Sequence, residues 1–124
     1  MAGFIEALSQ KDVPAFLEFF SRTKPLRFVR TIHPKQPTEL VKYDVLKREL
    51  LARDINRGWY SVLFDGGPDD SLAMTVDDPN KRPWKRVANQ KFVPPDDDND
   101  SILFIVWRNE NGKWVVEVIG YPGA

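Results

Sequence analysis

The last hairpin of this chain has almost no polar face, and that restricts the fold more than anything else in its 124 residues. It reads SILFIVW, a charged tip RNENGK, and WVVEVIGY. An Asn-Gly pair between apolar runs is a strong signal for a two-residue turn, because both central residues need positive φ. Such a turn at Asn111-Gly112 sets Glu110 opposite Lys113, Trp107 opposite Val116, Ile105 opposite Val118 and Leu103 opposite Gly120. One face then carries Leu103, Ile105, Trp107, Trp114, Val116 and Val118 without a polar break. The other carries Phe104, Val106, Val115 and Ile119, with Arg108 and Glu117 among them. A sheet with one wet face alternates apolar and polar residues. This one does not, so both faces need cover: helices on one, and a partner subunit on the other.

The rest of the chain supplies those helices. Phe4, Ile5, Leu8, Phe16, Phe19 and Phe20 recur at helical spacing over residues 3–21. KDVP interrupts them, with Asp12 placed to cap a new turn and Pro14 placed where a missing N–H costs nothing. Two helical pieces with a bend near residues 11–13 are predicted. LRFVRTI reads as a strand ended by HPKQP. Residues 38–56 are rich in Leu, Lys, Arg and Glu and read as a helix, although Asp44 and Lys47 interrupt its stripe and move the expected start toward Asp44. WYSVLF and SLAMTV, separated by DGGPDD, read as a second hairpin. WKRVANQKFV, bounded by prolines, reads as one strand. The length and the absence of any repeat or linker predict a single domain over residues 1–124.

Eighteen basic and eighteen acidic residues cancel, so no global field attracts nucleic acid or anionic lipid. The charges do fall in blocks of alternating sign, which neutralise one another as neighbours in a sheet. The chain has no cysteine and one histidine, which excludes disulfides, thiolate metal sites and a two-histidine zinc site. DDDNDS from Asp96 imitates a calcium loop but has Ser101 where glycine is needed and Trp107 where the bidentate glutamate is needed. No metal and no cofactor is expected. No apolar run approaches the ~20 residues that span a bilayer. MAGFIEALSQKDVP lacks the features of a signal peptide, so a cytoplasmic location is expected and no membrane partner.

WRNENGKW between two terminal strands, together with the opening FIEALSQKDVPAFLEFF, resembles the NTF2-like superfamily, which includes SnoaL-like and ketosteroid-isomerase-like proteins of the cystatin-like fold. The order helix, helix, strand, helix, strands is similar along the whole chain. The resemblance implies an α+β fold in which a strongly curved, mostly antiparallel sheet wraps around the N-terminal helices into a cone, often as a homodimer. Isomerases of that superfamily hold a substrate oxyanion with a phenol from the first helix and a protonated acid from a late strand. The matching positions here are Phe4 and Phe104, and neither donates a hydrogen bond.

The resemblance therefore implies a binding or interaction module whose apolar cone pocket takes a small apolar ligand, lined by Phe4, Phe16, Phe20, Tyr43, Trp59, Phe104 and Trp107. An alternative is a small-molecule isomerase, hydrolase or dehydratase. In that reading His33, the only side chain with an ordinary pKa near neutrality, works with Asp54 or Tyr60 as acid and base. A second alternative is a nucleic-acid or acidic-partner binder using residues 81–91, where KRPWKR sets cations around Trp84. Strand alternation puts Lys85 and Arg86 on opposite faces, which disfavours a single basic patch.

Overall fold

The computed structural model describes residues 1–32, 37–67, 71–96 and 102–122. Among these residues the chain forms five helices and six strands, an α+β arrangement with one mixed, unclosed sheet. The opening helix breaks where the sequence says it should. Helix α1 covers Ala2–Ser9, Lys11 takes a φ of 53°, and α2 covers Val13–Leu17. Asp12 caps α2 by accepting from the Ala15 N–H at 3.2 Å. Phe4, Leu8, Val13 and Phe16 are thereby turned to one side and fully buried.

Strand β1 (Leu26–Arg30) pairs with the short antiparallel β2 (Glu39–Val41). The helix read over residues 38–56 is therefore shorter: α3 covers Tyr43–Ala52 and ends at Arg53 in the left-handed region. Glu39, Leu40 and Val41 instead satisfy their backbone groups against β1.

The hairpin expected from WYSVLF and SLAMTV is not formed. These stretches are helices, α4 (Trp59–Leu63) and α5 (Leu72–Val76). Their buried residues show why: Tyr60, Leu63 and Phe64 in one, Leu72, Ala73 and Val76 in the other, spaced three and four apart rather than two. Ser71 caps α5 by accepting from the Met74 N–H, and its own hydroxyl donates to the Phe64 carbonyl at 3.1 Å. The single strand read over WKRVANQKFV is two, β3 (Lys85–Ala88) and β4 (Lys91–Val93), reversed at Gln90 with φ 62°.

The closing strands β5 (Phe104–Glu110) and β6 (Lys113–Tyr121) turn at Asn111 and Gly112, with φ of 53° and 87°. Glu110 faces Lys113 and Trp107 faces Val116, as the turn requires. Beyond that point the register departs from expectation. Glu117 is an extra residue on β6, so Val106 meets Val118, Ile105 meets Ile119, and Phe104 rather than Leu103 meets Gly120. The bulge moves Ile119 to the helix side and Val118 to the opposite side.

The full strand order is β2-β1-β6-β5-β4-β3, antiparallel throughout except where β1 runs parallel to β6. Where β1 does not reach, the Val116 N–H donates to the Phe19 carbonyl at 2.7 Å, so the segment after α2 closes that edge. Glu110 fastens the hairpin tip to the same segment. Ser21 donates to its carboxylate, as does Arg108 at 3.1 Å, and these bonds hold Glu110 below the usual carboxylate range.

The helices cover one face of the sheet. Phe4 and Phe19 pack edge-on against Trp107 of β5, with ring centroids at 5.7 and 5.9 Å, and Trp59 packs against Phe28 of β1 at 5.0 Å. On the opposite face the Phe104 ring lies directly over Gly120 and beneath the Lys91 ammonium, 4.6 Å from the ring centroid. The charge blocks meet in loops. Arg82 binds Asp78 at 2.9 Å and Asp96 through two bonds at 2.6 and 2.8 Å. Both carboxyls titrate below their ordinary range, Asp78 chiefly through the Asn80 N–H and Asp96 through Arg82.

Candidate functional site

Two concavities lie at opposite ends of β6, both on the helix side of the sheet. The larger, of about 370 Å³, is a groove at the hairpin-tip end, lined by Met1, Phe19, Phe92, Trp107 and Trp114 with Arg86 and Gln90. Strand pairing assembles its floor. Phe92 sits opposite Ile105, Arg86 opposite Phe92, and Trp114 opposite Asn109, so these side chains share the face that carries Trp107. The Trp107 indole is fixed on several sides. Phe4 and Phe19 meet its ring edge-on, and its N–H donates to the Met1 sulfur at 2.9 Å. The Trp107 backbone N–H donates to the Gln90 carbonyl at 2.8 Å, which holds the β3–β4 turn against β5. Trp114 is 49% exposed, a large aromatic surface left uncovered at the rim.

No protein-family model, curated protein or solved structure matches this chain.

The smaller concavity, of about 220 Å³, is lined by Arg30, Glu39, Gly58, Trp59 and Val62. Alternation along β1 sends Leu26, Phe28 and Arg30 to the helix side, so Arg30 brings a charge onto an otherwise apolar row. Its Nε donates to Glu39 at 3.2 Å, and its guanidinium lies over the Phe28 ring at 5.3 Å.

The residues singled out from sequence scatter between these places. Trp107 lines the groove and Trp59 the smaller concavity. Phe4, Phe16 and Phe20 pack on one another in the core, with centroids 4.9 to 6.2 Å apart. Tyr43 stands at the start of α3 beneath the Arg22 guanidinium, 5.6 Å away. Phe104 is on the far face of the sheet. Asp54 accepts from the Asn56 N–H at 2.9 Å and pairs with Arg57 at 3.6 Å, a loop-stabilising arrangement. Tyr60 is buried, stacked on Phe64 at 5.5 Å. His33 lies outside the described residues, as do all of DDDNDS but Asp96. Among the described residues no cluster of three or more potential metal ligands is present, and no helix is long and apolar enough to cross a membrane.

In the 81–91 segment, Arg86 faces the groove, Lys91 lies on the far face over Phe104, and Arg82 is held between two carboxylates. Sequence reasoning did not reach Phe92 or Arg30 as site residues, and it reached Arg86 and Gln90 only within the basic 81–91 stretch, not as walls of an aromatic groove. The signal for Arg30 was present: a cation at period two from Leu26 and Phe28.

Proposed function

We propose that this chain is an NTF2-like binding module whose sheet curves around the helices as a cone, and that the groove under Trp107 and Trp114 takes a small apolar ligand. The observation that carries the reading is an aromatic groove whose rim tryptophan is half exposed. Ligand sites are mostly apolar with a few fixed polar groups, and Arg86 and Gln90 fit that description. Arg86 donates through a planar fork and Gln90 both donates and accepts, so the two can orient a ligand against the tryptophans.

The test uses 1-anilinonaphthalene-8-sulfonate, whose fused rings suit the tryptophans and whose sulfonate suits Arg86. Saturable binding to the folded protein is expected, weakened about tenfold by Trp114→Ala or Phe92→Ala, the equivalent of ~1.4 kcal/mol of lost apolar contact. Trp114 is exposed enough that its removal leaves the thermal midpoint nearly unchanged. Equal binding by both variants, or fluorescence that rises only with unfolding, overturns the proposal.

The same reading pairs two copies through the far face of the sheet, where Val29, Phe104 and Val106 are only partly buried. Sedimentation at micromolar concentration is expected to show a dimer that Val106→Arg splits, because a charge at the centre of an apolar contact loses its water without gaining a partner. A wild-type protein that sediments only as monomer removes this part.

A further inference from the structure

We propose that the concavity around Arg30 is a second site, independent of the groove, which binds a small zwitterion: an α-amino acid with an apolar side chain. Arg30 has five N–H donors. Glu39 takes one, through Nε, and the two terminal nitrogens have no partner among the described residues. The arginine side chain is only 16% exposed, so water reaches those nitrogens chiefly through the concavity. These nitrogens are not among the buried unpartnered atoms, so they meet solvent through the concavity, and there a carboxylate can replace water in a planar, two-point contact.

The second charge in the site is Glu39. Only its Oε1 is engaged by Arg30, and its side chain is 44% exposed, which leaves Oε2 open to a donor. A carboxylate and an ammonium on one carbon of a ligand therefore find opposite charges in place. A simple carboxylate or a simple amine satisfies one of the two and is repelled by the other. A phosphate dianion is disfavoured by Glu39 in the lining.

Trp59 and Val62 supply the apolar remainder. Trp59 is held against Phe28 at 5.0 Å, and its backbone N–H donates to Glu49 at 2.8 Å, so the wall is set before a ligand arrives. The volume corresponds to about seven waters at ~30 Å³ each, enough for a leucine-sized molecule.

The experiment is a titration of the full chain with L-leucine, leucinamide and N-acetyl-leucine, read from the indole N–H resonance of Trp59, which Trp59→Phe assigns. Leucine is expected to shift it in a saturable way, and each truncated analogue to bind at least tenfold more weakly. Arg30→Gln is expected to abolish the preference for leucine over leucinamide, and Glu39→Gln the preference over N-acetyl-leucine. Arg30→Lys keeps the charge but not the planar fork, and is expected to bind several-fold more weakly than wild type. Trp114→Ala, in the groove, leaves all three titrations unchanged, so failure of the groove reading does not touch this one. Equal shifts by leucine and leucinamide, an Arg30→Gln protein that retains the wild-type preference, or no Trp59 shift at ~10 mM leucine, beyond the millimolar range of weak binding, overturns the proposal.

Discussion

Replacing Phe16 by alanine is expected to cost about 3–5 kcal/mol of folding stability, the range for deleting a fully buried phenylalanine. Phe16 has no exposed surface, and its ring meets those of Phe4, Phe20 and Phe64 at 5.1, 4.9 and 4.9 Å. These rings come from α1, from α2 and the turn after it, and from the end of α4. One side chain therefore joins three segments of the core. Helix α2 has five residues, too few to persist without packing. Domains of this size are stable by only ~5–15 kcal/mol, so the variant loses a large part of the total. In a thermal melt followed by circular dichroism, a fall of roughly 10–20 °C is expected. Phe16→Leu keeps most of the volume and is expected to lose far less. A Phe16→Ala midpoint within a degree or two of wild type contradicts a core centred on this ring.

What could be read from the sequence divides along physical lines. Signals that depend on a single residue's backbone preference held: the Asn111-Gly112 turn, the Asp12 cap and the break at Lys11. The strand assignment of WYSVLF and SLAMTV failed because six-residue apolar runs bounded by turn residues fit a buried strand and a buried helix equally well by composition. Spacing held the answer in Tyr60, Leu63 and Phe64, but Trp59 and Val62 between them are also apolar and hide it. The bulge at Glu117 left no local signal, and one extra residue was enough to exchange the faces of Val118 and Ile119.

The candidate sites follow the same division. Trp107 was legible because a large aromatic in the middle of a strand on the helix side must meet the helices. Its groove partners Arg86, Gln90 and Phe92 arrive only through the β3–β4 reversal at Gln90, which a reading of that stretch as one continuous strand excludes. Arg30 and Trp59 meet because α4 is a helix. Were WYSVLF a strand, Trp59 would have no reason to pack on Phe28.

Gly58→Ala is expected to destabilise the chain by about 3 kcal/mol and to disable the Arg30 site together with it, because two penalties coincide there. Gly58 has φ 83° and ψ −174°, a conformation open almost only to glycine. A β-carbon there would stand 2.7 Å from Glu49 Oε1, the same oxygen that accepts the Trp59 N–H at 2.8 Å. Relieving the contact moves Glu49 and breaks that bond, so the added methyl both strains the backbone and releases the Trp59 main chain. Gly112→Ala separates the two effects. Gly112 has a comparable φ of 87° but nothing within 4 Å of the added carbon, so only the conformational cost of roughly 1 kcal/mol is expected. In a Glu49→Ala background the contact is gone, and Gly58→Ala should then cost only its backbone strain, measurably less than in the wild-type background. Denaturant melts of the wild type and the four variants measure the difference, and the Trp59 indole resonance reports whether the ring still lies against Phe28. Should Gly58→Ala cost the same with and without Glu49, the carboxylate does not hold the start of α4, and the fixed aromatic wall assigned to the Arg30 site loses its support.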